Sequence, residues 1–167
     1  MRACLDRSNI DEMRSRLPWP VRSVLAGAVG TTTLAAAYAL EHHIRTNVRG
    51  QLDYDDGLVP GQIVASVMHL GQVTHRQERE LGTTLRWSYG SAFGFLHGAL
   101  YRRVGEPRAS LAFGAVLMTA TFSLFPLLGH TPPPWRWPKD VIATSIGTHI
   151  AYVTAVAGTD DGLRRSG

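Results

Sequence analysis

The sequence predicts an all-α integral membrane protein, a bundle of four transmembrane helices with one short interfacial helix. Four runs without a charged residue hold 79 of the 167 residues and none of the 30 charged ones. Three of these runs reach the roughly 18 uncharged residues that a spanning helix needs. Small residues also recur at every fourth position in three of the predicted helices, which is typical of close helix packing in lipid. The four runs are 23–40, 87–101, 109–135 and 141–159.

The N-terminal segment, residues 1–19, is predicted to be cytoplasmic. It is polar and basic, and it lacks the apolar core of a signal peptide, so the first spanning helix is expected to act as an uncleaved insertion signal. Ser8 is a suitable N-cap for a short surface helix, and Trp19 is expected at the membrane boundary. The transmembrane domain then covers 20–157, and a charged cytoplasmic tail covers 158–167.

The first spanning helix is predicted over about 20–43. It carries a stripe of small residues that includes Gly27. It ends in Glu41 and two histidines, a polar cluster expected at the outer surface. Farther along, apolar residues within 60–72 fall at helical spacing, but this run is too short to span a membrane. It therefore predicts the amphipathic interfacial helix.

The second spanning helix, predicted over 83–101, contains Gly90, Gly94 and Gly98 at intervals of four residues. In water, each helix-interior glycine costs about 1 kcal/mol relative to alanine. In a bilayer, the same smooth groove lets another helix backbone approach closely. The groove suits an internal interface or a homodimer. Internal packing is the simpler expectation, because four helices can cover one another.

The third spanning helix is predicted from about residue 107, where proline suits the first helical position, to about residue 128. Pro126 near its end predicts a kink or the loss of the last turn. The following segment, 130–140, contains three consecutive prolines and is expected to lie at the interface rather than to continue a helix. Two tryptophans in that segment are expected to anchor it there, namely Trp135 and Trp137.

The fourth spanning helix is predicted over about 139–157, with a small-residue stripe that includes Gly147. The distribution of Lys and Arg then predicts the orientation. Ten of the 17 basic residues lie in segments expected on one side of the membrane and seven on the other. Because cytoplasmic segments carry the excess of basic residues, both termini are predicted to be cytoplasmic. The three segments that hold the ten basic residues, and are therefore predicted to be cytoplasmic, are 1–22, 102–108 and 160–167.

The stretch FPLLGHTPPPWRWP, residues 125–138, resembles the YagU-like family of small bacterial inner-membrane proteins of unknown function. The resemblance continues into a helix with a Gly-x-His centre and covers about residues 85–155. It implies an inner-membrane location and a helical architecture, and it supplies no catalytic residues. The matching positions are Phe125, Pro126, Leu127, Gly129, Thr131, Pro132, Pro133, Gly147 and His149.

His97 and His149 are the main candidates for chemistry, because both are expected within the hydrocarbon region. Intramembrane ionisable residues often mark a solute or proton path. With Glu41 they define a candidate proton or ligand path; haem or metal ligation by the histidines is a further alternative. The competing interpretation is structural, since a neutral histidine can bond to a facing hydroxyl or carbonyl group. Their expected depths differ by several Å, which disfavours one haem shared by both.

Other classes of site have little support in the sequence. Cys4 is the only cysteine, which excludes an intrachain disulfide, and no spacing matches a metal-binding motif. Basic residues beside apolar runs indicate membrane orientation rather than nucleic-acid binding. We therefore expect a non-enzymatic membrane protein without a cofactor, with an accessory, structural or stress-related role. Its partners are then the bilayer and either another membrane protein or a second copy. The alternative is a small transporter or proton-conducting protein.

Overall fold

A computed structural model describes residues 17–45, 63–64, 67–69, 74–128 and 132–166. Within these ranges the chain forms four long α-helices and one short 3-10 helix, and it contains no strand, so the predicted all-α class is confirmed. The predicted surface helix before Trp19 lies outside the described residues. The predicted interfacial helix lies mostly outside them, although residues 63, 64 and 67 are helical.

The long helices are α1 (Trp19–Arg45), α2 (His75–Val104), α3 (Arg108–Leu127) and α4 (Lys139–Arg165), with the 3-10 helix at Pro134–Arg136. Helix α2 begins eight residues before the predicted start at residue 83. The reason is a capping box. The backbone N–H of Gln77 donates to the Thr74 hydroxyl at 3.4 Å, and the backbone N–H of Thr74 donates to the Gln77 side chain at 2.9 Å.

Helix α1 is the centre of the bundle, with α2 on one side and α4 on the other. It runs antiparallel to both neighbours. Ser23 lies opposite Gly98, while Thr31, farther along α1, lies opposite Gly90. Helix α3 closes the bundle, because its Phe113 packs against His97 of α2 and against Tyr152 of α4. The result is an up-and-down bundle of four antiparallel neighbours.

The tightest packing is between the backbones of α1 and α2. A Cβ atom placed on Gly27 would lie 2.6 Å from the carbonyl oxygen of Ser91 and 2.9 Å from that of Gly90. A Cβ atom on Gly94 would lie 2.6 Å from the backbone N and Cα of Gly27. These distances leave no room for a side chain, so glycine permits the close approach of the two helices.

Polar and apolar side chains occur both in the interior and on the surface of the bundle. Among the described residues, buried polar side chains are as numerous as buried apolar ones. Large apolar side chains point outward, including Leu111 at 70% exposure and Ile150 at 61%. The buried polar side chains are Ser23, Thr31, His97, Thr121, Ser145, Thr148 and Asp160.

Two helical stretches in the described part of the chain are long and apolar enough to cross a membrane, Trp19–Leu40 and Lys139–Arg165. The stretch Arg108–Leu124 is apolar but shorter. Helix α2 does not qualify, because its first turns and Arg86 are charged and lower its mean hydropathy. By length and composition alone, two of the four predicted spans therefore meet the criterion.

Two local expectations differ from the structure. Helix α4 continues through the residues predicted to form a tail, because Asp160 is buried against Arg22 of α1 and holds the last turns in place. Trp137 was expected at the membrane surface but is only 6% exposed. Its ring packs edge-on against Phe122, and its indole N–H donates to the carbonyl of Pro132 at 2.6 Å.

Candidate functional site

His97 is the most enclosed titratable side chain at the end of the bundle where α2 turns into α3, and it is fully buried. Its Nε2 lies 2.9 Å from Oε1 of Glu106 and 3.4 Å from the hydroxyl of Ser110. Since a carboxylate can only accept, Nε2 carries the proton and donates it to Glu106. Nδ1 of the same ring is buried and has no hydrogen-bond partner among the residues that the structure describes.

Glu106 is held in this contact by the turn between α2 and α3. The turn places Gly105 at a φ of +66°, a conformation that suits glycine. The backbone N–H of Ser110 donates to Oε2 of Glu106 at 3.2 Å. Burial raises the pKa of Glu106, but the hydrogen bonds from Ser110 and His97 together lower it by more, so the pKa lies below the ordinary value of 4.5.

His149 lies in a separate environment between α3 and α4. Its Nδ1 is 2.7 Å from the backbone carbonyl of Ser145, one turn earlier in α4, and therefore donates. Its Nε2 is 3.0 Å from the hydroxyl of Thr121 on α3 and accepts from it. Both ring nitrogens thus have partners within the protein, as expected for a neutral histidine that joins two helices.

A cavity of about 290 Å³ lies among the four helices and against Ile63 and Val64, at the end of the bundle opposite the turn at Gly105. Its wall is mostly aliphatic and aromatic. Polar side chains in the wall have defined contacts. His149 bonds to Thr121, and the hydroxyl of Tyr152 donates to the carbonyl of Gly90 at 2.6 Å. The guanidinium carbon of Arg86 lies 5.1 Å from the ring centre of Tyr38.

A second polar cluster joins α1, α2 and α4 at the end where α4 finishes. Arg22 Nε lies 2.7 Å from Oδ1 of Asp160, whose side chain is 2% exposed. Arg164 approaches Oδ2 of the same carboxylate at 3.4 Å and stacks over the Tyr101 ring at 3.3 Å from its centre. An ion pair this buried requires both partners, because one charge alone would be strongly disfavoured.

The residues predicted for a proton or ligand path do not form one cluster. His97 contacts Phe113, Phe113 contacts Tyr152, and Tyr152 shares the cavity wall with His149. The two histidines are thus linked through aromatic rings and not by a hydrogen bond. Glu41 belongs to α1, but its side chain lies outside the described part of the chain. No group of three or more His, Cys, Asp or Glu side chains suited to a metal occurs among the described residues.

The glycines predicted to pack helices are placed in two different ways. Gly27, Gly90, Gly94 and Gly98 all lie at the interface of α1 and α2. Gly147 lies on the exposed face of α4, where an added Cβ atom would have no described neighbour within 4 Å.

Sequence reasoning missed Glu106, Ser110 and the pair formed by Arg22 and Asp160. A signal for Asp160 was present. It continues a helical spacing of three and four residues along one face of α4, and the other members of that face, Ser145, Thr148, Tyr152 and Val156, are all buried.

Comparisons with protein-family models, with curated proteins and with solved structures gave no match. The resemblance to the YagU-like family therefore stays a prediction.

Proposed function

We propose that the chain is a non-enzymatic, multi-pass protein of the bacterial inner membrane with an accessory or structural role. All four long helices span the bilayer in this proposal, and both termini are cytoplasmic. The turn at Gly105 and the ion pair between Arg22 and Asp160 then lie at the cytoplasmic end. The cavity and the segment around Trp135 lie at the outer end.

The observation that carries the proposal is the outward-facing apolar surface combined with a polar interior. In water, the exposed leucines, isoleucines and valines of α1, α3 and α4 would form large apolar patches, which soluble monomers rarely show. In lipid they are favourably placed, and the hydrogen bonds from Thr121 to His149 and from Tyr152 to the carbonyl of Gly90 join neighbouring helices. Trp135, 81% exposed between α3 and α4, suits an interfacial position.

A structural role for the intramembrane histidine His149 is supported by its contacts. Both of its nitrogens are engaged, with Ser145 and with Thr121, which leaves no nitrogen available for a substrate. The backbone contact between Gly27 and Gly94 likewise holds α1 and α2 at a fixed separation. Both features suit a rigid bundle that supports other components.

Labelling of single cysteines tests the proposed topology. Cys4 is the only native cysteine, so Cys4→Ser gives a clean background. We expect a membrane-impermeant maleimide to label Arg136→Cys in intact spheroplasts, and to label Arg103→Cys only after permeabilisation. Labelling of both positions from the same side would refute an odd number of crossings between them, and with it the four-span arrangement.

Native mass spectrometry of the protein from its own membrane tests the accessory or structural role. A second polypeptide in fixed ratio supports an accessory role, and a bare monomer or dimer of the 18.3 kDa chain supports a structural one. A mass increment that matches haem or a metal ion would refute the proposal.

One observation favours the alternative of a proton-conducting protein. His97 is fully buried, its Nδ1 has no partner in the described part of the chain, and its Nε2 bonds to Glu106 near the surface. Such an arrangement can pass a proton inward. The test is proton flux into proteoliposomes under an imposed potential. We expect flux equal to that of protein-free liposomes. Flux that is lost in both His97→Ala and His149→Ala, while these variants still insert, would favour the alternative.

A further inference from the structure

We infer that the cavity between the four helices binds a short-chain amphipathic carboxylic acid, with its carboxylate on Arg86 and its apolar tail between the helices. The volume of about 290 Å³ is at the lower end of the roughly 300–1,000 Å³ typical of small-molecule sites. Such sites also tend to lie between the helices of bundles. The inference relies on the proposed membrane placement only for the choice of a bilayer as the medium.

Charge is the first argument. Arg86 is the only Lys, Arg, Asp or Glu among the cavity-lining residues that the structure describes. Its guanidinium lies over the Tyr38 ring, and none of the carboxylate side chains that the structure describes pairs with it. A guanidinium keeps its charge in any environment and binds carboxylates through two parallel N–H donors. The cavity therefore favours a ligand with one anionic group.

Three further polar side chains in the wall, those of Thr121, His149 and Tyr152, already have hydrogen-bond partners. Thr121 donates to His149, and Tyr152 donates to the carbonyl of Gly90. A ligand with several polar groups would have to break these bonds, which is unfavourable in a buried site. The part of the ligand beyond its anionic head is therefore expected to be hydrocarbon, packed against side chains such as Phe93 and Leu117.

The order of residues along α2 sets the direction and the length of the tail. Arg86 is near one end of the lining residues of α2, and Phe93 is at the other end. Seven residues at 1.5 Å per residue separate them by about 10 Å. A single tail of this length fits, whereas the two long chains of a phospholipid do not. Decanoate is a suitable probe.

Equilibrium binding of tritiated decanoate to the protein in phosphatidylcholine nanodiscs tests the inference, with protein-free nanodiscs as the blank. Decanol, which has the same tail without the charge, is the matched ligand. We expect saturable binding with a preference for decanoate over decanol of about tenfold, because a charge-assisted hydrogen bond is roughly twice as strong as a neutral one.

Two variants locate the binding. Arg86→Gln is expected to abolish the preference for decanoate while leaving decanol binding unchanged. Arg76→Gln is the control, because Arg76 is an exposed arginine of the same helix, paired with Glu80 and remote from the cavity. Ala120→Leu, which adds a side chain to the cavity wall, is expected to weaken both ligands together.

Several results would overturn the inference. These are the absence of saturable decanoate binding, equal binding of decanoate and decanol by the native protein, or an unchanged preference in Arg86→Gln. Decanoate binding that appears only after Asp53, Asp55 and Asp56 are changed to Asn would also overturn it. That result would mean that, in the native protein, Arg86 pairs with the acidic loop of the chain itself. None of these results alters the cysteine-labelling pattern, so failure of this inference is distinct from failure of the proposed topology.

Discussion

Replacement of Gly94 by alanine gives the sharpest test of the packing between α1 and α2. The added Cβ atom would lie 2.6 Å from the backbone N and Cα of Gly27 and would also meet the carbonyl oxygen of Ser23. An ordinary contact begins near 3.4 Å. The two helices must therefore move apart by at least the difference, 0.8 Å, and the atoms in the way belong to backbone rather than to adaptable side chains.

The energetic cost follows from overpacking, which is typically about 1–3 kcal/mol per substitution of this kind. Alanine also favours the helix over glycine by about 1 kcal/mol, which partly offsets the loss. Gly147→Ala is the matched control, because the added Cβ atom meets no described neighbour within 4 Å. The helix-propensity gain is common to both variants, so the difference between them isolates the packing cost. We expect Gly94→Ala to be less stable than Gly147→Ala by about 1–3 kcal/mol.

The assay is unfolding in mixed micelles, monitored by circular dichroism as the fraction of denaturing detergent is raised. Gly94→Leu extends the series, since a larger side chain at the same position is expected to prevent assembly of α1 with α2. Equal stability of the two alanine variants would refute the close backbone contact. So would a Gly94→Leu protein that unfolds like the native one.

Three further predictions concern the polar contacts. Asp160→Ala is expected to lower the free energy of unfolding by about 3–5 kcal/mol, because it leaves a buried arginine without its partner. Asp161 is more exposed, and Asp161→Ala is expected to lower it by only about 0–1 kcal/mol. Similar losses in the two variants would contradict the buried pair. The ionised form of Glu106, whose folded pKa is lowered, stabilises the fold fully above about pH 4.5, and this contribution is lost as the pH falls through the lower folded value. Glu106→Gln is therefore expected to reduce the acid-induced loss of stability in pH-dependent thermal melts, and an unchanged acid limb would count against the contact. Thr121→Val, which leaves Nε2 of His149 without a donor, is expected to cost about 1–3 kcal/mol in the same unfolding assay, and altered proton flux at unchanged stability would argue against a structural role.

The distribution of charge was sufficient to predict the presence of four long helices, because each long uncharged run lies largely within one of them. It was insufficient to predict their full lengths. Helix α2 extends upstream through a polar capping box at Thr74, and α4 extends downstream because Asp160 has a buried partner. Local apolar runs contain no information about a partner that is 138 residues away along the chain.

The faces of the helices were predicted unevenly. In α2, the glycine spacing pointed to the face that packs on α1, because only a face without side chains allows backbone contact. In α4, Gly147 is exposed, and the helix buries a face of larger and more polar residues, including Tyr152 and Thr148. A small-residue stripe marks an interface only where the opposite helix also presents small residues, as Gly27 does to Gly94. The sequence of one helix cannot specify that match.

The central position of α1 has a consequence for how the protein is made. Helix α1 is the first of the four to leave the ribosome, yet Arg22 in its first turns finds its carboxylate partner in the last turns of α4. Until α4 emerges, Arg22 in the nascent chain is without that partner. Completion of translation and closure of the bundle are therefore coupled. A chain stalled before Asp160 would have an incomplete interface between α1 and α4.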